Sequence, residues 1–228
     1  MNTIILTGSN KGLGSELKEL LSSPKFSRDK KIFISRQKIR SRSYPLTESI
    51  SFDLSDGTVK FKNIHLDKKS NAVIFINNAG TIEPISQTLE TDLSDVERAM
   101  HVNFWSPLKL SKHLAIEAQQ IKSKLIIINI TSGAAIKPIN GWLGYCVSKS
   151  AIQMALNVMK EECEHIKLYH FDPGVMDTDM QKKIRSSNKE NMKDVLEYSE
   201  LSKLKKLKDP KNVAQEILEL IEIALILP

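Results

Sequence analysis

At 228 residues, with 41% hydrophobic and 26% charged side chains, the sequence can bury one sizeable core, so a single globular domain is expected and a disordered chain is excluded. The net charge of +6 and pI near 9.1 come from lysines scattered along the chain, which call for no nucleic-acid partner but would welcome an anionic ligand. Two cysteines, Cys146 and Cys163, rule out a disulfide framework and read as small buried hydrophobes.

The chain opens "MNTIILTG", an apolar run with no basic leader or cleavage site, so a cytoplasmic protein is expected. Apolar, β-branched runs recur at 3–7, 31–35, 50–52, 71–76, 124–130 and 166–171. Their near-continuous hydrophobicity is what a parallel sheet covered on both faces requires. Helical patterns at 12–22, 56–66, 88–100, 104–120, 146–163 and 211–223 alternate with them. The alternation predicts a Rossmann-type, doubly wound parallel sheet in a three-layer α/β/α domain spanning 1–228. Residues 36–49, polar and basic, predict a loop or turn in place of a crossover helix. The charged segment 181–210 predicts a solvated insertion or a lid over a site, with "KLKKLK" on an exposed helix face. The final "EILELIEIALILP" is broken by Glu216, Glu219 and Glu222, so it reads as a core helix and not a membrane span.

The first strand runs into "TGSNKGLGSEL", which places Gly8, Gly12 and Gly14 between strand and helix. Glycines there permit a tight turn and close approach of backbone to a pyrophosphate, which the helix N-terminus would face with its positive end. The second strand ends in Ser35 and Arg36, where an NAD-preferring site places an acid on the ribose 2′-hydroxyl. Arg36, with Lys11 in the glycine turn, would instead pair with a 2′-phosphate, so NADPH is the expected cofactor. Asp53 closes the third strand, where a carboxylate can accept from the adenine amino group. "INNAG" closes the fourth, and its Gly80 lets the chain pass beside the cofactor.

In "TSGAAIKPINGWLGYCVSKSA", Tyr145 and Lys149 are four apart and share a helix face, and Ser132 follows a strand. Together these residues make the chain resemble the short-chain dehydrogenase/reductase family over essentially its full length. The motifs are "TGSNKGLG", Asn77 to Gly80, Asn103 in "HVNFWSP", Ser132, Tyr145 with Lys149, and "PGVMDT" at 173–178. Within the family, "KPINGWLGYCVSKSA" and "DPGVMDTDMQ" are most similar to sepiapterin reductases and bacterial benzil reductases, which reduce a ketone beside a second carbonyl with NADPH.

The resemblance implies that Tyr145 donates a proton to a substrate carbonyl while Ser132 holds that oxygen. It implies that Lys149 lowers the Tyr145 pKa and binds the nicotinamide ribose, and that Asn103 holds a water leading to Lys149. Asn10, Leu13, Leu54, Asn78, Ala79, Pro173, Gly174, Val175 and Thr178 complete the implied cofactor contacts. Trp142, Met176 and Met180, with the insertion, would line a pocket for a flat substrate, Trp142 alternatively serving as a structural plug. His101, His113, His165 and His170 lack metal-ligand spacing. The family usually continues into a further strand and tail, which carries the pterin anchor of sepiapterin reductases. This sequence stops at "ALILP", so either a longer protein or a plain dicarbonyl substrate is expected. The alternatives are an NAD-linked alcohol dehydrogenase and a non-catalytic NADPH sensor or scaffold. Apolar outer faces on the helices after Asn103 and Tyr145 predict a homodimer.

Overall fold

The computed structural model describes residues 1–37, 46–58 and 60–227. Among the described residues six strands form one parallel sheet: β1 (Thr3–Thr7), β2 (Lys30–Ser35), β3 (Thr47–Ser51), β4 (Ala72–Asn77), β5 (Lys124–Ile130) and β6 (Ile166–Phe171). Their order is β3-β2-β1-β4-β5-β6, so the winding reverses between β1 and β4. Open sheets of this kind bind ligands beyond the carboxyl ends of the strands at such a reversal.

The α-helices among the described residues are α1 (Gly12–Leu21), α2 (Leu93–Met100), α3 (Ser106–Gln120), α4 (Leu143–Glu162), α5 (Asp179–Ser186), α6 (Val195–Lys203) and α7 (Pro210–Ile226). On one face, Leu17 of α1 and Val213 and Ile217 of α7 pack on Ile4, Leu6, Ile74 and Ile126. On the other, Leu110 and Leu114 of α3 and Ile152 and Leu156 of α4 pack on Ile5, Ile32, Val73 and Ile127. Neighbours along β1 and β4 therefore bury side chains on opposite faces, which is why those strands read as unbroken apolar runs. No helix among the described residues is long and apolar enough to cross a membrane.

Several expectations are corrected. No helix forms over the described part of 56–66. Asp53 and Asp56 turn the chain by accepting the amides of Ser55 and Thr58, and Phe61 and Ile64 drop separately into the α3/α4-side core. Short aspartates offering local acceptors beside Gly57 favour turns over a helix, despite the helix-like apolar spacing. Of the predicted loop at 36–49, residues 38–45 lie outside the described residues, while Thr47 to Ser49 already belong to β3. Helix α2 starts at Leu93, capped by Asp92, whose carboxylate accepts from Ser94 N at 2.8 Å. It then continues through a π-helical turn, His101–Trp105, into α3.

Segment 181–210 is exposed over much of its length but also packs inward. Ile184, Met192 and Val195 are buried in one cluster with Ile82, Trp142 and Tyr145. "KLKKLK" (203–208) is largely exposed as expected, but only Lys203 lies on α6, the rest following the end of the helix. Lys208 bonds back to the 173–178 loop, its N–H donating to Val175 O at 2.9 Å and its carbonyl accepting from Asp177 N at 3.0 Å.

Candidate functional site

At the end of β1 the chain turns through Gly8 (φ +71°) and Gly12 (φ +50°), left-handed conformations that favour glycine. A Cβ at Gly14 would lie 2.0 Å from the Gly8 carbonyl oxygen, so the turn and α1 can approach only with a hydrogen there. Helix α1 has no side-chain cap and no acid in its first turn, which leaves its positive end open to an anion. Thr7 ties this turn to the β4 end: its Oγ1 accepts from Asn78 N and Ala79 N, each at 3.1 Å. The Asn78 amide donates to Thr7 O at 3.0 Å and Gly8 O at 3.3 Å. Asn78 thus staples two loops with its side chain. Glycine turn, uncapped helix and staple fit a cofactor diphosphate.

The residues expected at the adenosine end behave differently from one another. Arg36 is exposed at the end of β2, where its charge helps hold the Asp53 carboxyl below the usual range, after the two Ser55 hydrogen bonds that dominate. Asp53 remains exposed at the end of β3. Lys11 pairs with Asp179 Oδ2 at 3.5 Å, which directs its ammonium to α5. The Asn10 amide donates to Gln37 O at 3.5 Å. Leu13 and Leu54 are core side chains on opposite faces of the sheet, which leaves only their backbones for a ligand.

At the ends of β4 and β5 the sequence-predicted catalytic groups converge. Ser132, following β5, N-caps a short 3₁₀ turn, its Oγ accepting from Ala134 N at 3.2 Å, and it lies near enough to the Tyr145 phenol to favour its ionisation. Tyr145 and Lys149 lie one turn apart on α4, with Lys149 Nζ 5.7 Å from the phenol ring centroid. Lys149 Nζ donates to Ile130 O at 2.8 Å. Burial pushes the Tyr145 phenol up to about 12, outweighing the opposing influence of Ser132. Burial pulls Lys149 down to about 8, with the Asp172 charge opposing. In the protein's own surroundings the desolvation of this 7% exposed phenol therefore dominates its pKa.

Asn103 is buried in the π-helical turn. Its Oδ1 accepts from Thr81 N at 2.8 Å, and its Nδ2 donates to Thr81 O at 2.9 Å and to Ser148 Oγ at 3.0 Å. This side chain clamps the loop after β4 to the helix that carries Tyr145. A Cβ at Gly80 would lie 3.4 Å from Asn103 Oδ1 and 3.9 Å from Lys149 Nζ, so that loop runs close beside the ammonium. Thr81 and Ser148, which complete this clamp, carried no signal in the sequence.

Trp142 is 4% exposed, with its ring edge-on to Tyr145 (5.6 Å) and beside Tyr198 of α6 (5.6 Å), and its indole N–H donates to Met192 Sδ at 3.3 Å. It is the plug behind the Tyr145 phenol and not an open pocket wall. Met180, half-buried at the start of α5, packs on the same cluster, whereas Met176 packs against the α1/α7-side core. Pro173 is buried and Gly174 has φ +69°. Val175 gives its carbonyl to Lys208. Thr178 caps α5, and its Cγ2 lies 3.2 Å from where a Gly12 Cβ would be, which brings the 173–178 loop against the glycine turn.

The short chain dehydrogenase family profile matches residues 46–189. A benzil reductase ((S)-benzoin forming) of Bacillus subtilis is 33% identical over 205 residues, covering 84% of this chain and 81% of that protein. A sepiapterin reductase of Xenopus tropicalis is 31% identical over 121 residues, 52% of this chain and 46% of that one. The crystal structure of the KRED1-Pglu enzyme superposes with a TM-score of 0.81 at 24% identity, over 96% of this chain and 94% of its own.

Proposed function

The chain belongs to the short-chain dehydrogenase family, and on that premise we propose that it is an NADPH-dependent carbonyl reductase acting on an α-dicarbonyl ketone. The observation that carries this reading is the Ser132–Tyr145 hydroxyl pair with the Lys149 ammonium beside it, at the carboxyl ends of the strands. A bound nicotinamide would supply the hydride. Tyr145, fully protonated at neutral pH, holds the proton that the substrate oxygen needs, and Ser132 offers that oxygen a second hydroxyl. Lys149 places a positive charge where negative charge develops on the phenol as that proton leaves. Asn103, by clamping Thr81 and Ser148, fixes the loop and helix between which the substrate would sit. The B. subtilis benzil reductase supports the dicarbonyl class. Purified protein should consume NADPH in the presence of benzil; binding NADPH without turnover across a panel of neutral ketones and dicarbonyls would instead favour a non-catalytic sensor.

Arg36, exposed at the end of β2 without an acidic residue in the ribose position, supports NADPH over NADH. Arg36→Ala should shrink the ratio of NADPH to NADH affinity by roughly 10-fold, the loss of one charge-assisted hydrogen bond. Fluorescence titration of both cofactors against both proteins checks this, and an unchanged ratio would favour the NAD-linked alternative.

A homodimer is also part of the proposal. Val147, Met154 and Val158 recur on one exposed face of α4, with Met154 64% exposed, and Trp105 and Ile116 are exposed beside and along α3. Apolar helix faces of this kind bury well against a second copy about a two-fold axis. Light scattering should give twice the chain mass at micromolar protein and the monomer mass for Met154→Asp; a parent monomer would defeat the assignment.

A further inference from the structure

We propose that Asp172 is a specificity-determining residue whose carboxylate, standing without a cation of its own beside Ser132, Tyr145 and Lys149, selects neutral carbonyl substrates and rejects those with a carboxylate next to the carbonyl. The inference rests on the reductase reading above.

Its placement follows from strand register. Phe171 at the end of β6 is the partner of Ile130 at the end of β5, and Phe171 O accepts from Thr131 N at 2.9 Å. Asp172 is therefore one residue past the sheet, level with the chain that leads into Ser132. Ile130 also supplies the carbonyl that receives Lys149 Nζ. The three acids of "DPGVMDTD" differ in their surroundings. Asp177 meets Arg185 at 3.8 Å, and Asp179 meets Lys11 at 3.5 Å and Lys182 at 3.4 Å. Asp172 forms no salt bridge among the described residues. The stem of Lys208 passes beside Gly174, but its ammonium lies 3.8 Å from Glu216.

The Asp172 side chain is exposed, and its Oδ1 accepts from Gly174 N at 2.9 Å, which turns the chain into the 173–178 loop. The charge reaches both catalytic groups, holding Lys149 up against burial and disfavouring the Tyr145 phenolate. A substrate carbonyl within reach of that phenol places its neighbouring group in the same field. A neutral ketone feels little of it, whereas a carboxylate meets a like charge, and repulsion of this kind is an effective device against wrong substrates.

Asp172→Asn keeps the Oδ1 acceptor for Gly174 and removes only the charge; Asp172→Ala removes both. The measurement is kcat/KM for benzil and for phenylglyoxylate, with parent and both variants, at low and high salt. The expected result is that Asp172→Asn and Asp172→Ala both raise the phenylglyoxylate-to-benzil ratio on the order of 10-fold at low salt, and less at high salt, where an exposed charge is screened. A ratio unmoved by Asp172→Asn, or moved by Asp172→Ala alone, overturns the specificity role and assigns Asp172 to the turn. Absence of benzil turnover by the parent overturns the reductase reading itself.

Discussion

Replacing Tyr145 by phenylalanine should lower kcat by about 10³-fold, within the range contributed by a positioned general acid, while NADPH binding survives. The substitution removes one oxygen and leaves the ring, which stays edge-on to Trp142 at 5.6 Å inside the Ile82–Trp142–Val195 cluster. Ser132 still accepts from Ala134 N, so the end of β5 keeps its turn. The variant should therefore unfold within about 1 kcal/mol of the parent, the net value of a single hydrogen bond. Stopped turnover with parental stability and cofactor affinity identifies the phenol as the proton donor. Parental turnover of benzil by the variant would remove the donor role and pass it to Ser132 or solvent. NADPH consumption, cofactor fluorescence titration and a urea melt make the comparison.

Much of this arrangement is legible in the residues alone, for reasons that the fold explains. Strands β1, β4 and β5 announce themselves because helices cover both faces of the sheet, so each position is apolar in turn. The glycine turn is legible because Gly8 and Gly12 occupy conformations that side chains resist. Tyr145 and Lys149 are legible because helical geometry fixes their relation within a single turn. What sequence order hides is the long-range polar pairing. Asn77, Asn129 and His170 are register partners across β4, β5 and β6. Asn77 Nδ2 donates to Asn129 Oδ1 at 2.8 Å, which leaves the Asn129 amide to donate to His170 Nδ1 at 3.0 Å. His170 Nε2 then donates to Asn157 Oδ1 of α4 at 2.9 Å, and burial lowers the ring's pKa, in keeping with a neutral imidazole. No short motif encodes that row, because its members are far apart along the chain and meet only when the strands pair.

The errors have equally specific causes. Phe61 and Ile64 are three apart, as on a helix, yet each reaches the core from a turn. The lysines and serines of 181–203 masked the apolar face by which Ile184, Met192 and Val195 pack behind Tyr145. Polar composition there reports the outer surface of α5 and α6, and says nothing of the inner one. Trp142 was open to two readings because a large aromatic next to a catalytic loop serves equally as a wall or as a support. Its contacts with Tyr198 and Met192 place it as support.

Lys149 presents a conflict between stability and function, and Lys149→Met should separate them. Burial lowers its pKa from 10.5 to about 8, so carrying the ammonium at neutral pH costs the fold roughly 3 kcal/mol. Methionine has a similar shape and no charge to desolvate, but it abandons the hydrogen bond to Ile130 O at 2.8 Å, a loss of about 1–2 kcal/mol. The net expectation is a variant more stable than the parent by about 1–2 kcal/mol at pH 7, or about 4 °C in Tm for a domain of this size. The pH dependence has a definite sign. Between pH 8 and 10.5 the unfolded parent binds the Lys149 proton and the folded parent does not, so parental stability rises with pH through that window. The advantage of the variant is therefore largest below pH 8 and shrinks as the pH approaches 10.5. Activity should move the opposite way, falling by at least about 10²-fold, because a cation beside the phenol would stabilise the negative charge left on its oxygen as the proton departs. Melting curves across that pH range, taken with benzil turnover, measure both sides. A variant that melts below the parent at pH 7 would mean that the ammonium is stabilised by more than Ile130 and Asp172, whereas a gain in stability with lost turnover places the charge there for chemistry and against the fold.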